Sequence, residues 1–177
     1  MAQSRISDYS VSSMDSFFFD NSAWMYIFGP LAGNNERKQR IYSRLLAEIQ
    51  SRGAMIFVTS MVLSEFVNRC LRIDFDLWKK ECGFYAAEYK RNYVGTERYR
   101  EAVEDIVSNV RVILKMCQRL PDDFNSIGIN EILKNLEAID FNDSYYVELC
   151  KQKKLKIVTD DGDFAKIEDK ALSIVTA

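Results

Sequence analysis

Histidine is absent from all 177 residues, which removes imidazole from the available chemistry. Ser-His-Asp triads, Cys-His nucleophiles and HExxH zinc sites are thereby excluded. Glycine (7) and proline (2) are scarce, set against averages of about 7% and 5% of residues, so neither a collagen-like nor a loop-dominated chain fits. No apolar run reaches the roughly 18 residues of a membrane span. The opening MAQSRISDYSVSSMDS also lacks the apolar stretch of a secretory signal. A soluble, cytoplasmic protein is expected, with no membrane partner. Excess charge of one sign is missing too: 24 Lys and Arg against 26 Asp and Glu give a net charge of −2 and a pI near 5.4. Attachment to nucleic acid by bulk charge is disfavoured, although a local basic patch is not. The four cysteines, Cys70, Cys82, Cys117 and Cys150, lie 12, 35 and 33 positions apart. That spacing provides no CxxC metal or redox motif and points to buried, reduced thiols.

What is present is the patterning of a single α/β domain. Residues 1–15, rich in Ser and Asp, read as a mobile polar arm, and 16–177 as one domain. The run Phe17–Phe19 reads as a strand buried on both faces, ending at Asp20 and followed by a helix from about Ala23 to Gly29. Asn34 and Asn35 precede a helix with Ile41, Leu45 and Ile49 on one stripe, closed by Gly53. A strand over Met55–Thr59 leads into a helix from Ser60, and a further helix is predicted over Leu77–Tyr89. The clearest periodicity, Tyr99, Val103, Ile106, Val110, Ile113, Cys117 and Leu120, alternates spacings of four and three until Pro121. That seam pairs with a neighbouring helix or with a second copy of the chain. A short helix near Asn130–Leu136, a short edge strand at Ala138–Phe141, a helix over Asp143–Lys153 and strands over Leu155–Thr159 and Leu172–Val175 complete the pattern. Strands separated by helices imply parallel βαβ units in a three-layer α/β/α sandwich with four or five strands. The helical region at about 72–130 is large for such a domain.

Ligands of open parallel sheets bind beyond the carboxyl ends of the strands. Asp20, Asp161, Asp143 and Glu65 all fall at that end: Asp20 and Asp161 after strands, Asp143 and Glu65 in the first turns of helices. Their oxygens suit Mg²⁺ or Mn²⁺, and crowded carboxylates need a cation to stay ionised. Each also has a plainer explanation. Asp20 can simply cap a helix, Asp143 can favour a helix N-terminus, and Glu65 can pair with Arg69 four residues on. Asp160, Asp161 and Asp163 have the composition of an ordinary turn. Gly162 with Glu168 mimics the end of an EF-hand loop, but Ile157 and Thr159 would occupy its first ligand positions, so that match fails. Walker A and GxGxxG patterns are absent.

Three segments carry a resemblance. FFFDNSAW is similar to the opening strand of the PIN domain nucleases, VTSMVLSEFVNR resembles their strand and helix with an internal Glu, and NDSYYVELCKQKKLKIVTDDGDF resembles their closing signature. The resemblance, to a family that includes VapC-like toxins, implies a parallel sheet of order 3-2-1-4-5. It also implies Asp20, Glu65, Asp143 and Asp161 around one or two Mg²⁺ or Mn²⁺ ions, with Asp163 as an auxiliary acid. It implies RNA as substrate, an antitoxin partner and a homodimer. Thr159, Asn21 and Ser22 are then candidates for orienting carboxylates or water. Asn21-Ser22 replaces the more common Thr-Asn, a departure at the hydroxyl neighbour of the first acid. Two basic clusters, Lys151, Lys153, Lys154 and Lys156, and Arg37, Lys38, Arg40 and Arg44, fit either solvated faces or a positive rim that holds the RNA backbone. The alternatives are a catalytically silent PIN-like module that binds RNA or protein, favoured only if the acids are dispersed, and a phosphate-transfer enzyme, disfavoured because Asp20-Asn21-Ser22 is not a DxD nucleophile motif.

Overall fold

The computed structural model describes residues 2–30, 32–167 and 169–177. Its frame is a six-stranded, all-parallel sheet flanked by helices. The strands are β1 (Ala2–Arg5), β2 (Ser16–Phe19), β3 (Met55–Val58), β4 (Gln118–Arg119), β5 (Lys156–Val158) and β6 (Ser173–Thr176), in the order β1-β6-β5-β2-β3-β4. Without β1 this is the expected 3-2-1-4-5 arrangement. Central β2 explains its own composition: Phe17, Phe18 and Phe19 are fully buried, because a strand with neighbours on both edges and helices on both faces has no side left for water.

The helices are α1 (Asn21–Phe28), α2 (Glu36–Arg52), α3 (Ser60–Glu81), α4 (Glu97–Met116), α5 (Ile129–Asn135) and α6 (Phe141–Lys153). Side-chain caps start most of them. Asp20, Asn35, Thr59, Thr96 and Asp140 accept from backbone N–H groups of the first turns of α1, α2, α3, α4 and α6. Three of these caps follow strands or lie at the same sheet edge, so the carboxyl edge gathers helix N-termini and polar side chains together.

Three expectations need correction. Residues 2–15 are not a mobile arm: β1 pairs with β6, Val11 is buried, and Asp15 bonds Lys156 at 2.7 Å. An edge strand is held by its backbone, so the polar sequence AQSR gave no hydrophobic signal. The helix expected over Leu77–Tyr89 is instead the last part of α3. That helix stops where Gly83 takes φ +65° and the Phe84 N–H bonds the Lys79 carbonyl at 3.0 Å, a Schellman closure. Residues Tyr89–Tyr93 then form a single π-helical turn. The third strand is not Ala138–Phe141 but Gln118–Arg119. The helical periodicity runs through Cys117 and Leu120, yet the Leu120 N–H is bonded to the Val58 carbonyl at 2.9 Å, and pairing with β3 outweighs one more helical turn. The seam of α4 is met within the chain, by α3, through Val67, Leu71, Val103 and Ile106. Among the described residues, no helix is long and apolar enough to cross a membrane.

Candidate active site

Asp20 is 5% exposed, at the junction of β2 and α1. Its Oδ2 accepts from the Ser22 N–H (3.1 Å), the Ser22 hydroxyl (2.7 Å) and the Thr159 hydroxyl (3.0 Å). Each hydroxyl in turn accepts a backbone N–H from the turn after β5, Ser22 from Asp160 and Thr159 from Asp161, both at 2.9 Å. Ser22 and Thr159 therefore tie the first acid to the last, each using its one hydroxyl proton on Asp20. No hydrogen bond among the described residues falls on Asp20 Oδ1, so one oxygen is anchored and the other is left available. The hydroxyl put in question by the Asn21-Ser22 departure is supplied by Ser22 and Thr159. Asn21 itself carries a buried Oδ1 with no hydrogen-bond partner among the described residues.

On the other side stand α3 and α6. Glu65, in the second turn of α3, accepts from the Tyr146 hydroxyl at 2.8 Å and from the Asn142 amide. It does not pair with Arg69, so the plainer reading of that spacing fails. Burial raises the Glu65 carboxyl, with Asp20 and Asp140 adding to the shift, while the bonds from Tyr146 and Asn142 oppose it. Asp143 lies in the first turn of α6, where its N–H bonds Asp140 Oδ1 at 2.9 Å. Burial is the largest cause, and the charges of Asp20, Asp140, Asp161 and Glu65 add to it, in pushing the Asp143 carboxyl from 3.8 up to about 8. Such mutual repulsion requires the groups to share one low-dielectric region. Asp20, Asp161 and Glu65 thus lie within reach of the Asp143 charge, and Asp140 acts on it as well.

Other expected residues lie elsewhere. Asp163 pairs with Lys166 at 2.7 Å, and its N–H bonds Asp161 Oδ1 at 2.8 Å. Asp160 turns away toward α1 and α2, accepting from Lys38 (2.5 Å), Tyr26 (3.0 Å) and Tyr42 (3.1 Å). The cluster Lys151, Lys153, Lys154 and Lys156 is not a rim of this site. These residues stand at the amino end of β5, and Lys154 and Asp161 are separated by a span of about 20 Å at strand rise. Lys151 pairs with Glu148 and Asp169, Lys153 with Asp123, and Lys156 with Asp15. On α2, Lys38 reaches the site through Asp160, Arg40 stands 4.0 Å from Glu36, and Arg37 and Arg44 face a separate groove.

Sequence reasoning missed Asp140, Asn142, Tyr146, Arg69 and Arg72. The Asp140-x-x-Asp143 spacing of a helix start could have flagged the first. The others depend on how α3 meets α6. Arg69 lines two hollows, of about 350 Å³ beside Asp160 and Asp161 and about 500 Å³ beside Glu65 and Asn142. Among the described residues it makes no ion pair, and Arg72 lies 4.3 Å from the Tyr89 ring centre.

A family model described as PIN domain matches residues 17–170. The chain belongs to the PIN domain family. No curated protein matches the sequence. Among solved structures, the chain resembles VapBC2 from Rickettsia felis, bound to a DNA fragment from their promoter, with TM-score 0.55 and 14% identity over 92% of this chain and 98% of that one. It also matches VapBC-5 from Mycobacterium tuberculosis, a member of the VapBC family of toxin-antitoxin systems, with TM-score 0.46 and 15% identity over 92% and 98%. PIN domains are generally nucleases.

The acidic edge of this PIN domain offers only hard oxygen donors, together with the unpartnered Asn21 Oδ1 and the free Oδ1 of Asp20. That chemistry suits Mg²⁺ or Mn²⁺. As the side chains stand, no three carboxylate or thiol groups among the described residues converge on one point closely enough to hold an ion. Coordination thus calls for rearrangement of these side chains.

Proposed function

We propose that this PIN domain is a divalent-metal-dependent endoribonuclease that hydrolyses RNA phosphodiester bonds, and that it is the toxin of a toxin-antitoxin pair. The observation that carries the proposal is the anchoring of two acids at the carboxyl edge of the sheet, Asp20 by Ser22 and Thr159 and Glu65 by Tyr146 and Asn142, with the half-buried Asp143 raised by burial and by the charges of both. A site that holds carboxylates together at this cost is suited to a cation. Asp20, Glu65, Asp143 and Asp161 would hold Mg²⁺ or Mn²⁺. The bound ion supplies Lewis acidity and an activated water for attack at phosphorus.

The chain's own residues have separable roles in this reading. Thr159 and Ser22 fix Asp20 so that only one oxygen is left to bind. Tyr146 and Asn142 hold Glu65 against α6. Asp161, on the exposed turn, forms the outer wall of the site. Arg69, unpaired between the two hollows, offers its guanidinium to a substrate phosphate and offsets the acidic centre. No step uses an imidazole, in agreement with the composition.

The decisive experiment compares the parent with Asp161→Asn. The parent should cut single-stranded RNA in Mn²⁺ and gain several degrees of Tm from the ion, because a ligand that binds only the folded state stabilises it. Asp161→Asn should stay folded, cut nothing and lose most of that gain. Asp76→Asn, whose carboxylate meets only Lys79 on the outside of α3, should behave as the parent. The dispersion of the acids as they stand favours one other reading, a silent RNA- or protein-binding module. That reading takes over if no RNA is cut and neither ion raises Tm. An antitoxin partner and a homodimer belong to the same proposal, and co-purification from the native host with light scattering of the complex tests both.

A further inference from the structure

A hollow of about 780 Å³ outside the acidic site lies between the end of β1 and α2. Arg5, the last residue of β1, stands on one lip, and Arg37 and Arg44 on the other. The last two are seven residues apart on one face of α2, about 10 Å along the axis. Ile41 and Leu45 line it between the arginines, and Glu48 is its acidic member. None of the three guanidiniums has an ion pair or hydrogen bond among the described residues, whereas most lysines near the sheet are paired.

Its position relative to the acids is set by the sheet. All strands are parallel, so Arg5 after β1 and Asp20 after β2 share one edge, three strand spacings apart, or about 14 Å. The first turns of α2 bridge the interval, since Lys38 beside Arg37 bonds Asp160 next to Asp161. That interval equals the rise of about four stacked nucleotides. A cationic groove floored by aliphatic side chains and aligned with an acidic cleavage edge matches a polyanion whose bases are exposed.

Resting on the ribonuclease reading, we propose that this groove binds single-stranded RNA flanking the scissile bond, with Arg5, Arg37 and Arg44 on its phosphates and Ile41 and Leu45 against a base. The groove makes binding depend on the length of RNA on one side of the cut. The test uses the Asp161→Asn protein and fluorescent oligoribonucleotides: a short core, and the same core extended by about six nucleotides on the 5′ or the 3′ side. One extension should tighten binding about tenfold, measured by anisotropy. Arg37→Gln/Arg44→Gln, both exposed positions, should erase that gain, leave the short core unchanged and reduce the salt slope by about 1.4. Arg5→Gln provides an independent variant on the other lip. A gain that survives both variants overturns the inference and leaves the ribonuclease reading standing. Binding of no RNA at any length overturns both. Displacement of the extension by an acidic peptide at equal charge concentration assigns the groove to a protein segment and also overturns it.

Discussion

Thr159 is the side chain on which the two halves of the acidic site depend. Its hydroxyl donates to Asp20 and accepts from the Asp161 N–H, and it is fully buried. Thr159→Val keeps the shape but leaves the Asp161 N–H without its acceptor and removes one of the three donors to Asp20 Oδ2, so it should cost about 1–2 kcal/mol of stability and lower cleavage by ten- to a hundredfold. Thr159→Ser should restore most of both. Equal activity of the Val variant would show that the hydroxyl only packs. Asp143 allows a prediction with a sign. In the metal-free folded chain it keeps its proton up to about pH 8, but in the unfolded chain only to about 4. Between those values the folded state binds more protons, so stability falls as pH rises, and above about 8 the full penalty is present. In chelator, Asp143→Asn should be more stable than the parent by about 2 kcal/mol at pH 8, allowing for solvent screening, and by almost nothing at pH 4. Urea midpoints at the two pH values check this, and a parallel offset at both would refute the shift. Asp20, Glu65, Asp143 and Asp161 could be named as candidates from the sequence because each sits within a few residues of a strand end or helix start. Asn142, Tyr146 and Arg69 were not, because their roles arise only where α3 crosses α6.

At the scale of elements, the sheet was readable where strands are central and apolar and unreadable where they are edges. β2, β3, β5 and β6 announced themselves by buried runs. β1 and β4 did not, since AQSR and Gln118-Arg119 pair through the backbone with little apolar surface to bury. The helical region went astray for a different reason. Its order comes from the buried carboxylate of Asp74, which takes two nitrogens of Arg98 at 2.7–3.1 Å and the Tyr93 hydroxyl at 2.5 Å. Phe75, Trp78, Tyr89 and Tyr93 stack around it, with ring centres 5.3–6.1 Å apart. This clamp joins α3 to the start of α4 across the π-helical turn, a long-range arrangement invisible to periodicity. Asp74→Ala leaves the buried Tyr93 phenol and the half-exposed Arg98 guanidinium unpaired and should cost about 1–2 kcal/mol, with the exposed side of the ion pair screened by solvent. Hydrogen exchange should then quicken in Tyr89–Tyr93 and the first turns of α4 before it does so in β2 and β5. Uniform quickening would mean that the clamp supports the whole domain and not its helical region alone.

For the whole molecule, the question is how a nearly neutral chain guards the edges of an open parallel sheet. With a net charge of −2, long-range self-repulsion is weak, so exposed edges must be managed by structure. At one side β4 is only two residues long, too short to template another strand. At the other side β6, with Ile174 and Val175 buried, would be a regular edge if β1 did not cover it. β1 also delivers Arg5 to the groove, so the same four residues close the sheet and complete the basic lip. A variant lacking residues 2–5 exposes the backbone of Ser173–Thr176. It should still unfold cooperatively, because β2, β5 and the helices keep their contacts, but with Tm lower by several degrees. Above tens of micromolar it should also associate, since the bare edge can pair with a second copy and charge opposes this only slightly. Light scattering across a concentration series, alongside calorimetry, checks both effects. Placing Lys at Ser173 in the shortened chain adds charge to the bare edge and should reverse the association without restoring Tm. Association that persists would place the sticky surface elsewhere, on the exposed Val107 and Leu114 of α4.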